Sequence, residues 1–181
     1  MKVKLAVSQN TIQGVGILCG IALVAAVACS NPDNMFSNNV RAVPSHAVKV
    51  IDGDTIEIDG ERIRLYGIDA PERGQPCTKN DAHCDCGELS KSYLEFLIAG
   101  TTVTCRKKGK DAWNRWVGQC TADGEDLGQM MVRHGWAIAY RQYAEAYVHD
   151  EVFARKNKLG IWSKEFSMPS EWRKTRKGGK S

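Results

Sequence analysis

The feature that most constrains this chain is the Asp59-Gly60 dipeptide set between two alternating runs, Thr55-Ile56-Glu57-Ile58 and Glu61-Arg62-Ile63-Arg64-Leu65. A two-residue hairpin loop needs positive φ at its centre, which favours Asp and Gly, and its twist matches that of antiparallel strands. Alternation of polar and apolar side chains then puts one face of each strand on a core. Counting outward from the turn pairs Ile58 with Glu61 and sets Asp54 opposite Leu65, one residue from Arg64 on the neighbouring strand. Val48 and Val50 lead into Asp52-Gly53-Asp54, so a further strand precedes the hairpin and pairs with it.

After the hairpin, Arg73 to Gly87 reads as a loop by composition, and three cysteines mark it as stapled. Glu88 to Ala99 sets Leu89, Tyr93, Phe96 and Leu97 at helical spacing, with Gly100 as the stop. Thr101 to Cys105 and Arg115 to Thr121 read as two more strands around a polar connection. Asp126 caps a short helix through His134, with Gly135 at its end, and a longer helix is predicted over Ala144 to Leu159. Trp136 and Trp162 are assigned to packing. Five short strands with a helix after the third and two more at the end predict an α+β, mainly β fold: a five-stranded OB-type β-barrel with about three helices.

That barrel is expected at residues 46–163. Before it, Lys2 and Lys4 precede the apolar stretch Val15 to Cys29, and no acidic residue appears before Asp33. This is the order of an export signal, and the stretch is shorter than the roughly 20 residues that cross a bilayer. Residues 1–29 are therefore read as an export signal or N-terminal anchor, with small residues at Ala26 and Ala28 and a lipoprotein-like Cys29. Residues 30–45, rich in Asn, Ser and Pro, read as a linker. The expectation is a secreted or cell-envelope monomer, with membrane attachment through the N-terminal segment.

Cysteine usage agrees with an oxidising compartment. The domain holds Cys77, Cys84, Cys86, Cys105 and Cys120, an odd number, so two bridges leave one thiol over. Cys105 and Cys120 lie on strands flanking one connection, which suits a bridge. In the loop, Cys77–Cys86 is expected, because the wider spacing leaves room for a turn and sets Cys84 free. A zinc site from Cys77, His83, Cys84 and Cys86 competes, but C-x6-C-x-C is not a common zinc spacing.

Net charge does not point to a polyanion. Segment 164–181 carries a charge of +4 and Lys2 with Lys4 adds +2, leaving the body of the chain at −2 against a total of +4. The tail is read as a solvated basic segment, so recognition has to come from arginines placed locally. Such a set is present: Asp52, Asp54, Asp69 and Glu72 flank the strand that carries Arg62 and Arg64. Hard oxygen ligands, a general-base candidate and guanidinium groups are the equipment of metal-assisted phosphodiester hydrolysis. Hairpin geometry explains why Asp54 neighbours Arg64; bringing Asp69 to the same place requires curvature of the sheet.

Val50-Ile51-Asp52-Gly53-Asp54-Thr55, Ile63-Arg64-Leu65-Tyr66-Gly67-Ile68-Asp69-Ala70-Pro71-Glu72, Asp111-Ala112-Trp113-Asn114-Arg115 and Gly160-Ile161-Trp162 together resemble the ordered motifs of the staphylococcal-nuclease-like, or thermonuclease, family. The resemblance runs from about residue 47 to 162. It implies an OB-fold nuclease that cleaves DNA and/or RNA to 3′-phosphate products with Ca2+ as cofactor. It implies that Asp54 and Asp69 bind the ion through carboxylates and Ala70 through its carbonyl, with Asp52 just behind. Glu72 would activate water, and Arg64 and Arg115 would hold the phosphate. Trp113 and Tyr140, the latter with Tyr143, fall near the sugar and base contacts. The chain departs from the best-known member at Ala70 (Thr there), at Ala112 (Lys there), and in the cysteine-bearing loop, which has no counterpart. Two other functions compete, a non-catalytic OB-fold nucleic-acid-binding module and an envelope adaptor, and Ca2+-dependent cleavage separates both from a nuclease.

Overall fold

The structure, a computed structural model, describes residues 40–142 and 145–178. The export segment, Cys19, Cys29, most of the linker and Tyr143 lie outside the described residues. In chain order the first strands are β1 (Val40–Pro44), β2 (Val48–Asp52), β3 (Thr55–Ile58), β4 (Glu61–Leu65) and the short β5 (Ile68–Asp69). Next come β6 (Pro76–Lys79), β7 (Ala82–Asp85), α1 (Cys86–Ile98), β8 (Thr102–Lys110) and β9 (Trp116–Ala122). The chain continues through β10 (Glu125–Asp126), α2 (Leu127–Arg133), β11 (Ile138–Ala139), α3 (Val148–Lys156), β12 (Glu165–Phe166) and α4 (Pro169–Gly178).

The main sheet runs β1-β8-β9-β4-β3-β2, with β10 beside β9. Its two edge strands are consecutive in the chain and joined by a single 3-10 turn at Ser45–Ala47, so the sheet must curl back towards its own start. All its pairings are antiparallel except β4 with β9. This is the expected OB-type architecture. The hairpin register is the one counted from Asp59-Gly60: Ile58 pairs with Glu61, Thr55 with Arg64, and the Leu65 amide donates to the Asp54 carbonyl at 2.7 Å. Asp59 (φ 50°) and Gly60 (φ 78°) both take the positive φ that this turn demands.

Alternation delivers Ile56, Ile58, Ile63 and Leu65 to the inside of the curl. There they meet Val103 from β8, Leu94 and Ile98 from α1, and Leu127, Met131 and Val132 from α2. Capping follows the side-chain chemistry: Asp85 accepts from the Glu88 amide to start α1, and Asp126 from the Gln129 amide to start α2.

Four local expectations change. Val40–Pro44, assigned to the linker, is a strand paired with β8. The cysteine-bearing loop is a hairpin, β6 with β7, turning at Asn80-Asp81. Asn and Asp tolerate positive φ there, but few apolar residues flank them, so no alternation announced the strands. The helix predicted over 144–159 is shorter, Val148–Lys156. The basic tail takes up regular structure: Glu165–Phe166 adds an edge to β6, and Pro169–Gly178 forms a fourth helix.

Disulfides join Cys105 to Cys120 and Cys77 to Cys86, and Cys84 is the free thiol among the described residues. Cys84 faces Cys77 across the hairpin with its sulfur 2.6 Å from that of Cys77. Cys105–Cys120 closes a loop with a sequence separation of 15, buried in the core beside Val103. Replacing both cysteines by Ala should lower unfolding free energy by about 3 kcal/mol, the chain-entropy value for such a loop. Urea unfolding of the variant and the oxidised wild type measures this directly; equal midpoints would refute a stabilising bridge.

Candidate active site

Asp54 follows the end of β2 and is turned by its neighbour: the Asp54 amide donates to Asp52 Oδ1 at 3.1 Å. Gly53, between them, lies so close to Ser90 and Ala70 that a Cβ would collide with both side chains. That approach packs the β2–β3 turn under α1 and against the segment that follows β5. The Asp54 carboxylate is then buried with a full set of donors. Oδ1 accepts from Thr55 Oγ1 at 3.0 Å and Arg64 Nη1 at 2.9 Å, and Oδ2 accepts from the Ala70 amide at 3.0 Å.

Asp69 arrives by a different route. Gly67, at φ 75°, turns the chain after β4, and β5 leaves the main sheet to pair with β11, Ile138 opposite Asp69. Buried Glu151 of α3 holds β11 by accepting the Ala139 amide at 2.7 Å, and is neutralised by Arg141 and Arg155. Asp69 is thereby placed where Arg64 Nη2 donates to its Oδ1 at 2.8 Å. One guanidinium thus bridges two carboxylates that the sequence separates by fifteen positions.

A cavity of about 500 Å³ opens over this pair, lined by Asp52, Asp54, Arg64, Ala70, Pro71 and Glu72 on one side of the chain order, and by Ala112, Trp113, Arg115, Tyr140 and Arg173 on the other. Asp69 lies behind it, 1% exposed. Every residue expected at the site is therefore in one place, Tyr143 excepted as outside the described residues. Arg115 is set by a tight turn. The Asp111 carboxylate accepts the amides of Trp113 and Arg115 and also Arg115 Nε at 2.8 Å, while Asn114 takes φ 62°. Burial opposes the Asp111 charge, but these donors outweigh it and hold the carboxyl below its usual range. Trp113 is 73% exposed, with the Arg115 guanidinium over its ring.

Two residues were not foreseen. Gln75, fully buried, accepts the Glu72 amide through Oε1 at 3.1 Å and donates Nε2 to the Ser167 carbonyl at 2.6 Å. It fixes the backbone of Glu72 against the start of the C-terminal segment. Arg173 of α4 reaches back over about a hundred residues: Nη1 donates to Asp69 Oδ1 at 2.9 Å and Glu72 Oε1 at 2.7 Å, and Nη2 to Asp69 Oδ2 at 2.8 Å. Its helix carried a readable signal, Pro169 at the first position, Glu171 in the first turn and basic residues after it. Nothing local assigned its side chain to the site.

Burial pushes the Asp54 carboxyl up to about 7, against the opposing pull of Arg64, with Asp52 and Asp69 adding to the rise. A carboxyl raised in the fold holds its proton where the unfolded chain has released it. Stability from this group is thus complete below its ordinary pKa near 3.8 and is lost as pH climbs through about 7. In chelator, Asp54→Asn should flatten the fall in urea midpoint between these two pH values relative to wild type. Parallel curves for the two proteins would refute the raised pKa.

The family described as staphylococcal nuclease homologue matches residues 62–164. Succinoglycan biosynthesis protein ExoI of Rhizobium meliloti (strain 1021) is 40% identical over 117 residues, 62% of this chain and 61% of that protein, so the chain spans less than two thirds of ExoI. An uncharacterized endonuclease of Escherichia coli O157:H7 is 38% identical over 134 residues, 70% of this chain and 82% of the relative. Micrococcal nuclease of Shigella flexneri is 30% identical over 149 residues, 72% of this chain and 80% of the relative. The chain belongs to the staphylococcal nuclease family, and nuclease activity is what that membership and these relatives support.

Proposed function

We propose that the chain is a Ca2+-dependent phosphodiesterase that hydrolyses DNA and/or RNA to 3′-phosphate products. The observation that carries this reading is Arg64 lying between Asp54 and Asp69 beneath a cavity that Glu72 and Arg115 also line. The donor set suits a hard divalent cation, since the carboxylates of Asp54 and Asp69 and the carbonyl of Ala70 are all oxygen. Asp69 and its neighbour Glu72 already draw a positive group, the guanidinium of Arg173, which supports a cation site.

Asp54, Asp69 and the Ala70 carbonyl would hold the ion, with Asp52 behind them. Bound Ca2+ supplies polarisation of a phosphate oxygen and neutralises charge there. Other roles fall to the chain's own side chains. Glu72, partly exposed at the cavity, takes the proton of the attacking water. Arg64 and Arg115 grip the phosphate and offset the negative charge that grows on its oxygens in the transition state. Asp111 holds Arg115 by Nε, so its outer two nitrogens stay available for that grip. Cleavage of the bond to the 5′ oxygen leaves the phosphate on the 3′ side. Trp113 and Tyr140, on the same cavity, are positioned for sugar and base contacts. The charged-then-apolar order of residues 1–29 and the two disulfides support a secreted or envelope location.

Plasmid DNA, single-stranded DNA and RNA, each with Ca2+ and with chelator, test the reading. Cleavage should need Ca2+, and the products should carry 5′-hydroxyls and accept 3′-end label only after 3′-phosphate removal. Glu72→Gln should lower kcat by about 10²–10⁴-fold, the range for a lost general base, with Tm retained. Arg115→Ala should cost about 10²-fold or more, as expected for a lost transition-state donor. Wild-type rates in Glu72→Gln, or binding of nucleic acid without cleavage in the wild type, would overturn it in favour of a binding module.

A further inference from the structure

The carboxylates of the site are occupied from within. Both oxygens of Asp69 accept from Arg173, Oδ1 accepts from Arg64 as well, and Glu72 Oε1 takes a third bond from Arg173. A planar guanidinium laid two-pronged on a buried carboxylate is the strongest pairing side chains offer. The hydrogen bonds to Asp69 and then to Glu72 raise the Arg173 pKa, so its charge is permanent. A cation that binds Asp69 needs the same lone pairs.

The helix that carries Arg173 has a firm root and a light body. At the root, Phe166 pairs with Cys77 of the disulfide-bonded hairpin, and the Ser167 carbonyl is held by Gln75. Past it, Glu171, Lys174, Thr175 and Arg176 are all exposed. Trp172 keeps its indole N–H buried with no hydrogen-bond partner among the described residues, a cost that seating the helix incurs. A segment with few buried contacts opens at low free energy. Trp113, Tyr140 and Arg173 also line a neighbouring groove of about 530 Å³, so Arg173 borders both that groove and the site.

We propose that Arg173 is the resident counter-ion of Asp69 and Glu72, and that α4 is an arm that must withdraw it before a divalent cation can bind. The inference rests on the Ca2+ reading above. In this arrangement Arg173 keeps the buried carboxylates neutralised when no ion is present. Ion and arm exclude one another, so the site is self-inhibited until the ion concentration is high enough to displace the arm.

Calorimetric Ca2+ titration of the full chain, beside hydrogen exchange of residues 169–176, tests this. Arg173→Ala should bind Ca2+ roughly tenfold more tightly or better than wild type, because competition is removed. Arg176→Ala, an equal charge loss on an exposed part of the same helix, should bind like wild type. In the wild type, saturating Ca2+ should speed exchange across 169–176. Equal or weaker binding by Arg173→Ala, or exchange unchanged by Ca2+, would overturn the arm while leaving the Ca2+ site standing. If none of the three proteins binds Ca2+, the calcium reading falls and the arm with it. Should Arg173→Ala fail to fold, the exchange measurement on the wild type decides alone.

Discussion

The arrangement turns on Arg64. Asp54 and Asp69 are 4% and 1% exposed, and two carboxylates buried side by side are tolerable only with a cation between them. Arg64 is that cation, and because its two Nη nitrogens go to different partners it also acts as a structural link. It joins the β2–β3 turn to β5 across the edge of the curled sheet. Gly53, which allows the close approach, and Glu151, which anchors β11 and so β5, serve that one juncture from positions about a hundred residues apart in the chain.

The juncture is nonetheless short of positive charge. Asp52, Asp54, Asp69 and Glu72 meet Arg64 and Arg173, while Arg115 is committed through Nε to Asp111. Four carboxylates against two available guanidiniums leave a deficit of about two charges in a poorly solvated place, where unscreened charge is expensive. The high Asp54 pKa expresses the same imbalance, with burial as its main cause and the neighbouring acids as contributors. A divalent cation that takes the place of Arg173 brings one charge more than the arm it displaces, so the deficit falls from about two to about one.

How much of this could be read from residues follows from distance along the chain. The Asp54–Arg64 contact is a consequence of hairpin register, and register was fixed by Asp59-Gly60 and the alternation beside it. Asp111 with Arg115 is a local turn, but Arg115 was assigned to the site by family resemblance and not by its spacing. Asp69 was assigned to the site by family resemblance, since its position depends on β11 and α3, which come 69 or more residues later. Gln75 was invisible because a glutamine in a polar loop looks solvated until its partner, Ser167, is folded against it. Arg173 sat in a run of lysines and arginines where charge composition favours solvent, and only the fold shows one of them turned inward. The β6–β7 hairpin was missed for lack of alternation, although its cysteines correctly marked it as constrained.

That hairpin is more than an insertion on the barrel. Cys86 opens α1, and the next residue, Gly87, packs so tightly on the Glu72 carbonyl that a Cβ there would strike backbone. Cys77, its disulfide partner, lies on β6, against which β12 pairs before the chain enters α4. One covalent link thus sits at the common root of the loop bearing Glu72, the helix packed over Asp54 and the helix bearing Arg173. Oxidation of Cys77 and Cys86 fixes the spacing of these three elements before any ion or substrate arrives, which is the preorganisation that a site built on loops would otherwise lack. Cys84, the free thiol among the described residues, faces that link from the opposite strand of the hairpin, its sulfur 2.6 Å from that of Cys77.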